Sequence, residues 1–427
     1  MKLNNLILGF LFLSGCTPVG ISGSSDSSSS SSSVSSSSSS SGSSFIPPVN
    51  ASNVAQFLNA TGTNVMRISV GGDLCTASSP LNMPCVSITI CEPGTSNCQT
   101  LNNILLDTGS YGLRVFKSLL TINPPALKDA SNNTYAECAT FGIGADWGSL
   151  ATLDIQLGSS TQIASNVPVQ IIDSTFASSS SLCALGAVDV DPVTAGFNGI
   201  LGVGGYEQDC GTSCSSSASQ SNYYSCSGTS CTQSAISLAN QVTNPVYKLP
   251  TDNNGIIVAF PDVASTGATS TNGVVLFGIG TQTNNVPTSG VSTFNVDPTS
   301  GFIFTNYSGS NHYALFDTGT NGFDFYDSTI TQCQTLTGFF CPASTMNITT
   351  TIFGTNNSIT KSFSFNLANT EQLAQSNNLV FDNLGFAMSA SSSNLFIYGL
   401  PAHFGKVLFI GYDGKTSSLG SGASFSY

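Results

Sequence analysis

The chain has few charged side chains, and basic ones are especially scarce. Lys and Arg together number 9 against 22 Asp and Glu, which gives a formal net charge of −13. Such a chain lacks the positive surface that binds nucleic acid or an anionic membrane surface, so we expect neither as a partner. Low charge with 40% hydrophobic residues and abundant Gly and Phe is typical of a β-rich exported protein, not of a helical or disordered one.

Metal ligands of the usual kind are also scarce. The sequence has only two histidines, His312 and His403, and no Cys-x-x-Cys pair. Zinc sites are built from such residues, so we expect no metal and no other cofactor. The glycine clusters at 202–205 and 278–280 do not open a strand–helix–strand unit, which argues against nucleotide binding.

Cysteine, in contrast, is plentiful. Thirteen cysteines include Cys16, and the other twelve form the even number expected of an exported, disulfide-bonded protein. Close spacing pairs ten of them and leaves Cys138 with Cys183. The close pairs are Cys75–Cys85, Cys91–Cys98, Cys210–Cys214, Cys226–Cys231 and Cys333–Cys341.

The apolar run from Leu6 to Leu13 predicts an export signal, because it is too short to span a bilayer as a mature helix. The following Leu-Ser-Gly-Cys resembles the bacterial lipobox, so we expect a lipoprotein signal peptide over 1–15 and lipid modification of Cys16. The alternative is an ordinary cleaved signal with an incidental cysteine. Thr17 after the cysteine favours sorting to the outer membrane, with the protein on its periplasmic or surface side.

Residues 16–44 are predicted to form a serine-rich tether. From about Gly23 to Ser44 the sequence is almost pure serine, which buries no apolar area. A flexible tether supplies reach between the lipid and the folded part. No further membrane-spanning run follows it.

One short sequence occurs twice, once in each half of the chain. Leu105-Leu106-Asp107-Thr108-Gly109-Ser110 returns as Leu315-Phe316-Asp317-Thr318-Gly319-Thr320. A single Asp-Thr-Gly is a common turn. Two copies, each after an apolar run and each closed by a hydroxyl residue, predict two lobes that contribute one carboxylate each.

Two carboxylates about a hydrogen bond apart share one proton, so Asp107 and Asp317 are the predicted catalytic pair. The ionised member can take a proton from water while the other donates to a carbonyl oxygen. The threonine hydroxyls would bond the two turns to each other. The glycines would let backbone N–H groups approach the carboxylates closely, and the closing Ser and Thr would donate to the outer carboxylate oxygens. These supporting residues are Thr108, Gly109, Ser110, Thr318, Gly319 and Thr320.

Short apolar runs separated by Gly, Asn and Ser turns predict an all-β protein with minor helices. The clearest helix candidate is Ser234 to Gln241, with Pro245 ending it. The predicted strands are Val86 to Ile90, Ile104 to Leu106, Thr152 to Leu157, Val167 to Ile172, Ile256 to Phe260, Val274 to Phe277, Phe302 to Phe304 and Phe396 to Tyr398.

Together these motifs resemble the pepsin-like aspartic proteases. Phe197 to Gly202 is similar to the family's segment that crosses beneath the first catalytic loop, and Ile397-Tyr398-Gly399 has the corresponding place in the second half. The resemblance implies a bilobal double β-barrel with an active-site cleft between an N-terminal lobe, 60–245, and a C-terminal lobe, 246–427. The segments 107–114, 199–204 and 399–401 are most similar to bacterial lipoproteins known only as a domain of unknown function.

The flap of that family is altered here. Phe141, Gly142, Gly144 and Trp147 align with it, but its usual tyrosine is Phe141, and Arg114 replaces the tryptophan that would bond to that tyrosine. Losing both partners leaves no orphaned group, and our hypothesis is that Arg114 packs on the ring of Phe141 or Trp147. Trp147 lies either over the substrate or in the core, and Tyr111 beside the first aspartate would narrow the cleft.

The resemblance implies an aspartic endopeptidase, a hydrolase of the bacterial cell envelope acting on a peptide or protein substrate. The alternative is a catalytically silent pepsin-like lipoprotein that binds a peptide or an envelope component. In either case we expect a monomer held to the membrane by its N-terminal lipid. The separation of the two carboxyl groups is the observation that distinguishes an assembled pair from a binding cleft.

Overall fold

A computed structural model describes residues 51–142, 144–178, 183, 187–356 and 359–427. The predicted signal peptide, Cys16 and the serine-rich tether lie outside the described residues, as does Ile143 in the flap segment. For brevity, residues 60–245 are called the first half and residues 246–427 the second half.

Strands are the main regular structure of the described residues, as predicted. Helices are short: α1 (Ala51–Leu58), α2 (Pro192–Ala195), α3 (Thr212–Ser216), α4 (Thr370–Leu373) and 3-10 turns at Lys117–Leu119, Phe176–Ser178, Ala218–Gln220, Leu238–Asn240, Pro245–Lys248, Thr283–Asn285, Ala390–Ser392 and Leu400–His403. The strands are β1 (Val65–Val70), β2 (Pro84–Cys91), β3 (Cys98–Asp107), β4 (Tyr111–Phe116), β5 (Thr134–Thr140), β6 (Gly144–Leu157), β7 (Ile163–Ile172), β8 (Ala187–Val188), β9 (Gly199–Val203), β10 (Tyr223–Ser227), β11 (Ser230–Gln233), β12 (Gly255–Ala259), β13 (Thr271–Phe277), β14 (Thr293–Asn295), β15 (Ile303–Tyr307), β16 (Ser310–Phe316), β17 (Phe323–Phe325), β18 (Met346–Phe353), β19 (Thr360–Leu367), β20 (Gly385–Ala387), β21 (Leu395–Tyr398), β22 (Val407–Gly411), β23 (Thr416–Ser417), β24 (Gly420–Ser421) and β25 (Ser424–Ser426).

Six strands of the first half close into a barrel-like ring. The hydrogen-bonded order is β6, β7, β4, β9, β3 and β2, and β6 also pairs with β2. Closure leaves no free edge within the ring, and its strands carry aliphatic side chains that are fully buried in the main core, among them Ile88, Leu106, Leu113 and Leu153. The ring therefore gives Asp107, at the end of β3, a rigid support.

The two halves share one sheet. Strand β1 pairs with β13 from Val65 opposite Leu276 to Val70 opposite Thr271, and β12, β22, β25 and β14 continue the same sheet. A second sheet of seven strands has the order β19, β18, β15, β16, β21, β17 and β20. Asp317 directly follows β16, so the second carboxylate belongs to this second sheet.

Both catalytic turns sit in the same three-strand arrangement. In the first half β3 runs parallel to β9, and β4 returns antiparallel to it, with Asp107 opposite Gly202. In the second half β16 runs parallel to β21, and β17 returns antiparallel to it, with Phe316 opposite Tyr398. The structure thus places both predicted crossing segments between the strands that enter and leave the turns.

The structure contains six disulfides, with the pairing that the spacing predicted. They join Cys75–Cys85, Cys91–Cys98, Cys138–Cys183, Cys210–Cys214, Cys226–Cys231 and Cys333–Cys341. Such a set indicates an extracytoplasmic protein. Across the described ranges, helices are too short to cross a membrane.

The predicted helix over Ser234 to Gln241 is wrong. Only Leu238–Asn240 forms a single 3-10 turn. The backbone N–H groups of Ser234 and Ile236 donate instead to the carbonyls of Tyr223 and Cys214, and Ile236 is buried against those residues. Contacts with neighbouring segments have overridden a weak local helix preference. Pro245 does not end a helix but opens the next 3-10 turn.

Candidate active site

The two predicted carboxylates meet where the two halves join. Asp107 and Asp317 are 0% and 1% exposed, and Asp317 lies near enough to raise the pKa of Asp107. Each carboxyl lies against the glycine of the opposite turn: a Cβ on Gly109 would be 2.7 Å from Asp317 Cγ, and one on Gly319 would be 2.8 Å from Asp107 Cγ. Only glycine allows the two turns to approach this closely.

Each turn also holds its own carboxylate with two hydrogen bonds. Asp107 accepts from Gly109 N at 2.8 Å and from Ser110 Oγ at 2.6 Å. The second turn repeats the pattern, since Gly319 N donates to Asp317 Oδ1 at 2.7 Å and Thr320 Oγ1 donates to Oδ2 at 2.6 Å. The inner oxygen of each carboxyl is bound by the backbone and the outer one by the closing hydroxyl.

The threonines tie the turns to each other. Thr108 N donates to Thr318 Oγ1 at 3.1 Å, and Thr318 N donates to Thr108 Oγ1 at 3.0 Å. Each hydroxyl then donates to a carbonyl of the opposite strand, at Phe316 and Leu106. These four bonds are buried and related by a near two-fold axis, so the two carboxylates are held in one fixed geometry.

The pair shares a proton. Burial, the charge of Asp317 and the hydrogen bond to Asp317 raise the pKa of Asp107 well above its usual range, although Ser110 and Gly109 oppose the shift. Two adjacent carboxyl groups resist ionising together, so one of them stays protonated at a pH where an isolated aspartate is charged. The site can therefore supply a general acid and a general base at once.

Arg114, four residues after Ser110, is buried at the centre of a polar network. Its Nη2 lies 2.9 Å from Glu137 Oε1 and 2.9 Å from Asp209 Oδ2, and its Nη1 donates to Tyr111 O at 2.9 Å. The guanidinium carbon is 5.7 Å from the ring centroid of Phe141, which is the cation–π contact of our hypothesis. Sequence reasoning found the aromatic contact but missed both carboxylate partners.

If both carboxyl groups were ionised, the single positive charge of the guanidinium would balance only one of them. Burial and the neighbouring Asp209 raise the pKa of Glu137 well above its usual range, although Arg114 opposes the shift. Arg114 therefore lies between two buried carboxyl groups, and the one on Glu137 is shifted towards its neutral form. Tyr223 completes the network by donating its hydroxyl hydrogen bond to Asp209.

In the second half the position that corresponds to Arg114 is Asp324. Arg114 lies opposite Ile200 of the first crossing strand and Asp324 opposite Ile397 of the second. Asp324 is fully buried, and among the described residues neither of its carboxyl oxygens has a hydrogen-bond partner. Burial raises its pKa well above the usual range, so this carboxyl group is neutral.

The predicted flap is a tight β-hairpin. Phe141 N donates to Gly144 O at 2.8 Å and Gly144 N to Phe141 O at 3.3 Å, which closes the turn at Gly142 between β5 and β6. Trp147 is fully buried and its Nε1 donates to Phe176 O, so it is a core ring and does not face a substrate here. Tyr111 is also buried, with its ring edge-on to Tyr206.

Two other places that could hold a catalytic or metal-binding group have structural roles instead. His403 is buried with Nδ1 3.1 Å from Gly399 O, and burial lowers its pKa to about 4, which keeps it neutral. In the described part of the chain, the ligand-type residues Cys333, Cys341 and Glu371 cluster, but the two sulfurs form a disulfide and offer no thiolate to a metal.

A two-lobed, mostly β protein with one Asp-Thr-Gly turn per lobe and paired carboxyl groups belongs to the pepsin-like fold class. More specifically, this chain belongs to the family described as "Protein of unknown function (DUF3443)", whose model matches residues 60–427. Among solved structures, an aspartic proteinase from Irpex lacteus is similar at 15% identity and a TM-score of 0.48, covering 84% of this chain and 96% of its own. Among curated proteins, none matches the chain.

Proposed function

We propose that the protein is an aspartic endopeptidase of the bacterial cell envelope, in which Asp107 and Asp317 activate one water molecule for attack on a peptide bond. The observation that carries this proposal is the burial of both carboxyl groups where the two turns meet, each against the glycine of the opposite turn. Placing two carboxyl groups together destabilises the folded protein, because they repel each other when both are ionised. A binding cleft gains nothing from this arrangement, whereas catalysis by a shared proton requires it.

In the proposed reaction Asp107 holds the shared proton and Asp317 acts as the base. Asp317 takes a proton from water, the water oxygen bonds to the carbonyl carbon, and Asp107 donates its proton to the carbonyl oxygen. The resulting gem-diol then collapses: Asp317 donates its proton to the leaving nitrogen, the C–N bond breaks, and Asp107 takes the proton of one gem-diol hydroxyl. The products are a carboxylic acid and an amine, and Asp107 again holds the one proton of the pair.

The proposal also covers the cellular location of the enzyme and the kind of substrate that it cleaves. We place it at the outer membrane, on the periplasmic or surface side, anchored through lipid on Cys16 and carried on the 16–44 tether. The lobes 60–245 and 246–427 each supply one carboxylate. The substrate is a peptide or protein, since the low basic content disfavours polyanions, and the protein acts as a monomer.

A specific observation favours the silent, peptide- or envelope-binding alternative. Both carboxyl groups are almost completely enclosed, so a peptide reaches them only if surrounding residues move. The flap also has Phe141 in place of a tyrosine, so it lacks a hydroxyl that could bond to a substrate. A protein with an enclosed pair could bind a ligand elsewhere in the fold and cleave nothing.

Cleavage of an unbiased peptide library by the purified full chain tests the proposal, scanned from about pH 3 to about pH 7. Asp107→Asn and Asp317→Asn are the test variants, and Asp73→Asn at an exposed ion pair is the control. We expect cleavage by the wild type and the control, and none by either test variant. Activity should fall as pH rises through the raised pKa of Asp107, because the proton donor is then lost.

The opposite result is equally clear. No cleavage at any pH, in a protein with all its disulfides intact, would reject the endopeptidase and support the silent alternative. Cleavage that survives in both aspartate variants would locate catalysis elsewhere.

A further inference from the structure

We infer that Asn82, in a disulfide-closed loop of the first half, is a positioning residue for Asp317 on the opposite half. The inference rests on the proposed function of the pair but concerns how its geometry is maintained. The loop runs from Cys75 to Cys85, whose sulfurs are joined. Its tip, Leu81-Asn82, reaches into the second half beside the second catalytic turn. We call this contact the clasp.

The side chain of Asn82 makes all its hydrogen bonds to residues of the second half. Its Nδ2 donates to Asn321 O at 2.8 Å and to Phe381 O at 2.8 Å, and its Oδ1 accepts from Phe381 N at 2.8 Å. Its own backbone N donates to Leu379 O at 2.8 Å. Asn82 is fully buried, so each bond forms in a medium where a lost partner is costly.

The clasp acts directly on the catalytic turn. Asn321 follows Thr320, the residue whose hydroxyl holds the outer oxygen of Asp317. The side-chain amide of Asn321 donates back to Leu81 O, so the turn and the loop are bonded in both directions. A shift of the loop would therefore move the backbone that carries the second carboxylate.

Packing on both sides of Asn82 fixes the loop in place. Leu81 is buried in a second-half cluster with Phe339, Phe381 and Phe386, whereas Met83 is buried in a first-half cluster. Asn82 itself has φ 51°, a left-handed conformation that asparagine tolerates better than most residues. The disulfide limits how far the loop can move, so the clasp depends on oxidation of Cys75 and Cys85.

The experiment reads the carboxyl pair without relying on cleavage. The 13Cγ shift of Asp107 is followed against pH by NMR in the full chain, with the signal assigned through Asp107→Asn. Asn82→Gly removes the side chain and accepts the positive φ. Asn166→Gly is the control, because Asn166 also has a positive φ, 53°, but its backbone N donates to Asp154 Oδ1, outside the loop from Cys75 to Cys85.

We expect Asn82→Gly to lower the pKa of Asp107 by about one unit, because Asp317 moves away and solvent enters. Asn166→Gly should leave that pKa unchanged. If the wild type cleaves peptides, kcat should fall in Asn82→Gly with a smaller change in KM. An unchanged Asp107 titration in folded Asn82→Gly, or an equal shift in both variants, would overturn the inference.

A second pair of variants applies if Asn82→Gly does not fold. Cys75→Ser with Cys85→Ser opens the clasp loop, whereas Cys91→Ser with Cys98→Ser opens the turn between β2 and β3. The inference requires the Asp107 pKa to fall in the first double variant and to stay constant in the second. Equal titrations in the two double variants would reject it, whether or not the protein is a peptidase.

Discussion

Arg114 stabilises the first catalytic segment more through its carboxylate partners than through its aromatic contact. The guanidinium is 3% exposed, and it bridges Asp209, Glu137 and the carbonyl of Tyr111. A buried ion pair need not stabilise a protein more than an apolar replacement would, but removing one partner leaves the other buried without its counter-charge. Arg114 therefore matters because of what its loss would leave behind.

Arg114→Leu is expected to destabilise the protein by about 3–5 kcal/mol, because it leaves two buried carboxyl groups, Glu137 and Asp209, without their cation. Urea unfolding followed by tryptophan fluorescence of Trp147 measures this change. Arg67→Leu is the control, since Arg67 pairs with Asp73 on the surface and should change stability little. Similar midpoints for Arg114→Leu and the wild type would contradict this account of the network.

At the scale of elements, the crossing strands β9 and β21 support the two catalytic turns from beneath. A glycine lies at each point of contact, Gly202 within β9 and Gly399 directly after β21. A Cβ on Gly202 would lie 2.5 Å from Tyr111 N, and one on Gly399 would lie 2.0 Å from Gly322 O. Both clashes are with backbone, which cannot rotate away as a side chain can.

Gly202→Ala and Gly399→Ala should each destabilise the fold by about 1–3 kcal/mol and lower activity, because the added methyl displaces a catalytic turn. Gly205→Ala is the matched control, since its nearest neighbour would be Ala423 Cβ at 3.3 Å. Thermal unfolding and cleavage rates check the comparison. Equal behaviour of Gly202→Ala and Gly205→Ala would show that the crossing strand tolerates displacement.

Elements also show how far the sequence could predict the fold. The turns were predictable because the Asp-Thr-Gly repeat encodes local geometry, and the crossing segments because they resemble those of the pepsin-like family. The partners of Arg114 were not, because Glu137 and Asp209 lie 23 and 95 positions away and nothing local pairs them. Likewise, sequence alone left Trp147 between core and substrate, since burial depends on the strands that cover it.

The described part of the molecule buries several acids whose pKa is raised on folding. Burial is the first cause of a raised pKa at each of them, and nearby carboxyl groups add to it at all but Asp324. The four most affected are Asp107, Glu137, Asp146 and Asp324. Folding therefore takes up protons that the unfolded chain releases above about pH 4.

Because folding takes up protons, the free energy of unfolding should be higher in weak acid than at neutral pH. A raised acid pKa contributes fully below the unfolded value and is lost as pH rises towards the folded one. His403 opposes the trend, since its pKa is lowered to about 4 and its contribution falls below about pH 6.5, but one histidine faces several acids. The melting temperature should therefore fall from about pH 5 to about pH 8.

Asp324→Asn tests the source of that dependence. It removes a titrating group without changing shape, so the fall in melting temperature between acid and neutral pH should become smaller. Asp327→Asn is the control of opposite sign: partial burial raises the pKa of Asp327, but bonds from Thr329 and Tyr307 lower it overall. Its loss should remove stability at neutral pH and little in acid. Identical pH profiles for wild type and Asp324→Asn would refute the assignment.

The contrast between Arg114 and Asp324 has a consequence for how this protein could have arisen. A symmetric dimer of two identical halves must carry the same residue at both positions, because every substitution is copied by the symmetry axis. A cation on one side and a buried acid on the other therefore require two halves that are not identical, which a single chain provides. In one chain each half can be substituted alone, while the carboxylates at the axis keep their near-symmetric setting.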